Sequence, residues 1–260
     1  MKRILGGILF LFFLCECGYC EKAQWQHESR STHFIVYYNT TPESFIDRLK
    51  NKAEEYYDII ADDLGFRRYN FWLWDNRAKI FIYDSMQEFQ AGARQPGWAA
   101  GAVQTKEKVL HTYPEERNFF ESILPHELGH IIFREFVGFD NPAVTFWLDE
   151  GVASYQESVR RKYAPQILSE AVKKKNFIPL SRLSAINPQS LIDPQDANLY
   201  YAEALGVVYY LIKEFGEDNF VFFCQELRDK KNIDSALRYA YPFKNIEELG
   251  KSWEKYLSND

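Results

Sequence analysis

Apolar and polar positions alternate differently in the two halves of the chain, first at strand spacing and later at helical spacing. Thr32 to Asn39 is dense in β-branched and aromatic residues and predicts a strand. Pro42 stands at a helix start, and Glu43 to Leu64 predicts a helix that Gly65 closes. A second strand is expected over Ala78 to Tyr83, with a short helix around Met86 to Arg94. Trp98 to Gln104 and Lys108 to Thr112 read as paired strands joined by the polar turn Thr105-Lys106-Glu107.

From Glu116 onward the pattern turns helical. An interior proline costs about 3 kcal/mol, so the helix holding Pro125 should begin or kink there. It is expected to run to Val137 and end at Gly138. Further helices are predicted over Thr145 to Tyr163, Pro165 to Lys175, Ala197 to Phe215, Glu217 to Lys230, Ile233 to Tyr239 and Ile246 to Leu257. A small mixed sheet with helices, followed by a mainly helical half, is an α+β architecture. Its cleft should lie between the two parts, with the Pro125 helix as floor. No repeat or low-complexity linker interrupts residues 21–260, which are expected to form one domain.

Composition adds bounds to this picture. The chain has 260 residues, 46% of them apolar, enough for a substantial core. A net charge of −6 argues against a nucleic-acid partner, because phosphate binding needs clustered Lys and Arg. The compact basic run Lys173-Lys174-Lys175 is expected at the exposed end of a helix. With 17 Tyr and 21 Phe, most rings should be core.

Residues 1–20 read as a signal peptide. Lys2 and Arg3 precede an apolar run from Ile4 to Leu14, shorter than the ~20 residues a membrane-spanning helix needs. Export to the periplasm or the extracellular space follows. Retention as an N-terminal anchor, or a lipid on Cys15 or Cys20, are the alternatives, and they are the only membrane attachment expected. Cys15, Cys17 and Cys20 fall in or beside this segment, leaving Cys224 without an internal disulfide partner. Its apolar surroundings, Phe220 to Phe223, predict a buried structural thiol.

The chemistry concentrates in His126-Glu127-Leu128-Gly129-His130. Residues four apart share a helix face, so the two imidazoles can hold one zinc ion while Glu127 serves as base for a water. A third ligand is needed. The metzincin pattern would place Gly and His at positions occupied by Phe133 and Phe136, so that class fails. Asp149 and Glu150 remain, in Trp147-Leu148-Asp149-Glu150-Gly151. Their side chains point about 100° apart on a helix, so only one can face the metal, and spacing favours neither strongly. The other would be solvated or would orient a ligating histidine through its second nitrogen. His27, His33 and His111 have no partner at metal spacing and are expected to be structural or exposed.

These two motifs resemble the gluzincin metallopeptidases, nearest in length and arrangement to small bacterial peptidase MA-like domains, and are similar to the aminopeptidase N-like enzymes. The resemblance spans roughly residues 30 to 258. It implies a zincin-like fold, one zinc ion, and Glu150 as the third ligand beside His126 and His130. It also places Tyr201, in Tyr201-Ala202-Glu203-Ala204-Leu205-Gly206, where the aminopeptidases carry a tyrosine that stabilises the tetrahedral intermediate. Tyr200 is the immediate competitor. The aminopeptidases grip a free amine with an acid, whereas this chain has Ala99-Ala100-Gly101-Ala102-Val103-Gln104 in the comparable place. The expected function is therefore zinc-dependent peptide hydrolysis of the endopeptidase type, with a peptide or protein as substrate. Hydrolysis of another amide or ester is the rival within enzymes. The rival outside them is a non-catalytic zinc-binding envelope scaffold or interaction module with a peptidase-like fold.

Overall fold

Five strands form one sheet ahead of the helical half. The computed structural model describes residues 25–67, 69, 72–93, 102–114 and 118–259. The strands are β1 (His27–Arg30), β2 (Phe34–Tyr38), β3 (Ala78–Ile82), β4 (Ala102–Gln104) and β5 (Val109–Thr112), in the order β1-β2-β3-β5-β4. The central three run parallel, and β1 and β4 pair antiparallel at the two edges. Parallel strands need cover on both faces, which explains their near-continuous apolar runs. One face, with Phe34, Val36, Ile80, Ile82 and Leu110, joins the main core. The other, with Ile35, Tyr37, Phe81 and Val109, forms a smaller cluster with Tyr83, Phe89 and Tyr113.

The helices are α1 (Glu43–Asp63), α2 (Met86–Gly92), α3 (Leu124–Val137), α4 (Phe146–Gln156) and α5 (Ser158–Lys174). They continue with α6 (Leu180–Leu183), α7 (Pro194–Phe215), α8 (Glu217–Lys230), α9 (Ile233–Ala240) and α10 (Ile246–Asn259). In α1, Ile46, Leu49, Ala53, Tyr57 and Ile60 recur every three to four positions and face the core. A π-helical turn, Phe119–Ile123, leads directly into α3, and Pro125 sits in the first turn, where its missing N–H costs least. Gly138, at φ 100°, closes α3, and its N–H bonds Arg134 O at 2.8 Å.

This is the expected α+β arrangement, with three local corrections. The helix predicted over Thr145 to Tyr163 stops at Gln156, because Glu157 is extended (φ −79°, ψ 108°) and starts α5. Nor does a boundary fall before Pro165, which lies inside α5; burial of Ala164, Leu168 and Ala171 holds that helix together across it. Finally, β1 and the short α6 carry no pattern strong enough to predict. The N-terminal segment with Cys15, Cys17 and Cys20, and the Trp98–Gly101 part of the expected strand, lie outside the described residues. Cys224 is a buried free thiol in α8, as its surroundings predict. Among the described residues no helix is long and apolar enough to cross a membrane.

Two glycines let the helices of the second half approach closely. A methyl on Gly129 would lie 3.0 Å from Ala153 Cα and from Gln156 Cγ, so α3 and α4 meet there. A methyl on Gly151 would collide with the Ala204 carbonyl oxygen, so α4 and α7 meet there. The glycines of both motifs thus serve contact between backbones rather than unusual dihedrals. Their effect is to draw α3, α4 and α7 around one point.

Candidate metal centre

That point is where His126, His130 and Glu150 converge. Their Nε2, Nε2 and Oε2 atoms form a triangle with sides of 3.2, 3.5 and 3.6 Å. Bonds of about 2.0–2.1 Å to a tetrahedral zinc place ligand atoms roughly 3.3–3.4 Å apart, so the triangle has the dimensions of such a site. Glu150 Oε2 is buried and has no hydrogen-bond partner of its own. A buried carboxylate oxygen facing two ring nitrogens needs a cation or a proton between them.

The far side of each ring explains why the Nε2 atoms point inward. His130 Nδ1 donates to Asp149 Oδ1 at 3.0 Å, and Arg134 holds the other oxygen from Nε at 2.9 Å and Nη2 at 2.7 Å. His126 Nδ1 donates to Glu157 Oε1 at 2.8 Å. Ser122, from the π-helical turn, donates to the other Glu157 oxygen, and Arg160 Nε reaches Oε1 at 2.9 Å. With both Nδ1 atoms protonated, each Nε2 carries a lone pair, the tautomer a metal requires. The two neighbouring acids of α4 therefore part as helix geometry demands: Glu150 faces the centre, and Asp149 orients His130.

Glu157 is the site residue that the sequence reading missed. Its position seven residues, two helical turns, after Glu150 was a usable signal, since a ligating histidine wants an acceptor behind it. The extended backbone at Glu157 is what turns its carboxylate back toward His126.

The electrostatics favour positive charge at this centre. Burial would lower His126, but the nearby carboxylates of Glu150 and Glu157 outweigh it and push it up to about 9. Burial likewise opposes protonation of His130, yet Asp149 and Glu150 drive its pKa well above the usual imidazole value. Burial would raise Glu150, but the two histidines hold it far below the ordinary carboxylate range. Glu157 follows the same pattern and sits at about 2, with burial overcome chiefly by His126. Glu127 is also buried, and there burial wins: its pKa is raised despite both histidines.

Two tyrosines of α7 feel the charge of Glu150. Tyr200 is fully buried, and its hydroxyl has no hydrogen-bond partner. Tyr201 is partly buried, with the Arg160 guanidinium carbon 4.7 Å above its ring centroid. Burial first, and then the field of Glu150, raises both phenols; Glu157 and Glu127 add to it at Tyr201. The remaining histidines lie elsewhere. His33 Nδ1 pairs with Glu54 at 2.6 Å, His111 is buried against Phe81 and Tyr83, and His27 is exposed. Burial alone lowers His111 to about 4.

No curated protein matches the chain significantly. Residues 74–259, a stretch that starts before β3 and includes every residue of the metal centre and both tyrosines, match the Peptidase MA superfamily. On that match the chain belongs to the Peptidase MA superfamily, and its histidine pair with Glu150 makes it a metallopeptidase of the gluzincin type.

Proposed function

We propose that the protein is an exported zinc endopeptidase in which His126, His130 and Glu150 hold the ion and Glu127 is the general base. The observation that carries this reading is the triangle of ligand atoms at zinc dimensions, with an acid behind each imidazole. Bound zinc would polarise the scissile carbonyl and lower the pKa of an adjacent water towards about 7. Glu127 takes the proton of the attacking water and passes it to the leaving amine; its raised pKa suits a group that must both accept and donate. Tyr201 donates its phenolic proton as a hydrogen bond to the developing oxyanion, a contribution of about 3 kcal/mol when well placed.

Two features support endopeptidase action. No acid occurs in Ala99 to Gln104 to grip a free amine. Among the described residues the strand β4 pairs only with β5 and ends the sheet, so it can pair with an extended peptide through its backbone. The basic pair Lys2 and Arg3 ahead of the Ile4 to Leu14 run supports export.

The test is to purify the protein, measure its zinc, and compare cleavage of casein and a peptide library by wild type and Glu127→Gln. One zinc per chain and loss of nearly all turnover in Glu127→Gln are expected. Stoichiometric zinc without any Glu127-dependent cleavage would overturn the enzyme reading in favour of a binding module.

A further inference from the structure

Arg160 stands in the first turn of α5, three residues beyond the helix break, and touches both halves of the site. Its Nε donates to Glu157 Oε1 at 2.9 Å, the same oxygen that receives His126 Nδ1 at 2.8 Å. Its guanidinium carbon lies 4.7 Å from the centroid of the Tyr201 ring. The side chain is 28% exposed, so as an ion pair alone it contributes little. Its geometry gives it a different use. A guanidinium is planar: its edge can be fixed by a carboxylate while its face lies on an aromatic ring, which an ammonium cannot do in the same way.

Tyr201 needs such support. It is only partly buried, and among the described residues its hydroxyl makes no side-chain hydrogen bond. It sits on α7, which meets the helix of Glu150 at the Gly151–Ala204 contact, and burial, Glu150, Glu157 and Glu127 raise its phenol while Arg160 lowers it. Glu157 is held by His126, Ser122 and Arg160 together. A continuous chain of contacts therefore runs from the His126 imidazole, through Glu157 and Arg160, to the face of Tyr201.

We propose that Arg160 is a positioning residue that takes its place from Glu157 and holds the Tyr201 ring in register with the metal centre. The inference rests on the peptidase reading and on Tyr201 as oxyanion donor. Without Arg160 the ring regains rotamer freedom, whereas Glu157 keeps two donors and His126 keeps its acceptor. The loss should fall on turnover, with metal binding and substrate affinity largely intact.

The test is a double-mutant cycle on the zinc-loaded protein, with peptide cleavage as readout and bound zinc measured for every variant. Arg160→Met keeps the apolar stem, Arg160→Lys keeps the charge, and Tyr201→Phe removes the phenol. Arg160→Met is expected to lower kcat about tenfold with KM within about twofold. Arg160→Lys should recover only part of that loss. In the Tyr201→Phe background, Arg160→Met should cost little more, because its partner's role is already gone. Equal losses in both backgrounds, a Tyr201→Phe variant as active as wild type, or zinc lost from Arg160→Met would each overturn the proposal. Full activity in Glu127→Gln would instead overturn the peptidase reading itself, so the two failures are separable.

Discussion

At the scale of single residues, the site is a competition between protons and a divalent cation for the same lone pairs. His126, pushed up to about 9 by Glu150 and Glu157, binds a proton throughout the neutral range when nothing else holds its Nε2. Zinc must displace that proton, so zinc affinity should fall as pH falls below about 9, by up to tenfold per pH unit for each proton displaced. Chelator competition at pH 6, 7 and 8 measures this; a flat profile would show that the Nε2 atoms are not ligands. The acid behind His126 sharpens the point. Glu157→Ala should weaken zinc binding by about 10–100-fold, since losing the acceptor frees the ring to turn and makes it less basic. Unchanged zinc affinity in Glu157→Ala would deny the carboxylate any part in the centre. The pairing of His126 with His130 could be read from the sequence because four-residue spacing on a helix puts two side chains on one face. Glu157 was harder to read: its spacing from Glu150 is visible, but its approach to His126 depends on a backbone turn that no local pattern announces.

At the scale of elements, the two motif glycines and the one-residue break do most to place the side chains. The sequence predicts one helix over Thr145 to Tyr163, because α4 is buried on nearly every face and so shows no clear amphipathic stripe. It also predicts a stop at Pro165, where local propensity points, yet tertiary packing of Ala164 and Leu168 overrides that preference. The break at Glu157 reflects a hydrogen bond to α3, which is information about the fold and not about the segment. The strands and most helix boundaries were readable because their apolar spacing matches the element they form. Gly151 tests the close approach of α4 and α7. Gly151→Ala sets a methyl against the Ala204 carbonyl and should cost about 1–3 kcal/mol of stability, as overpacking does. Because that contact also sets the distance from Glu150 to Tyr200 and Tyr201, peptide cleavage should fall in the folded variant as well. Urea unfolding and cleavage assays measure the two effects; a variant of wild-type stability would show that the helices can part without cost.

At the scale of the whole molecule, stability rests on a main core and a smaller cluster on the other face of the sheet, without a disulfide among the described residues, so buried polar groups in the main core weigh heavily. The most consequential is Glu203 in α7, the helix that packs on α4, α5 and α8. It is fully buried; Oε1 accepts from the Ile178 N–H at 2.9 Å, and Oε2 has no partner. Burial is the main cause that raises its pKa to about 8; Glu254 adds to it, and the Ile178 bond opposes it. The carboxyl is therefore neutral in the folded protein at neutral pH, while in the unfolded chain it ionises near 4.5. Between those values the folded state binds the extra proton, so stability is fully present below about pH 4.5 and is lost as pH rises through about 8. The slope from this one group approaches 1.4 kcal/mol per pH unit at its steepest. Glu203→Gln keeps the shape and the acceptor for Ile178 but cannot ionise. Its stability should decline less than that of wild type between pH 5 and pH 9, so the variant gains relative to wild type as the solution becomes more alkaline. Urea midpoints across that range give the comparison, and every other titrating group cancels because both proteins carry it. Parallel curves would show that Glu203 is already ionised in the folded core and that α7 tolerates a buried charge.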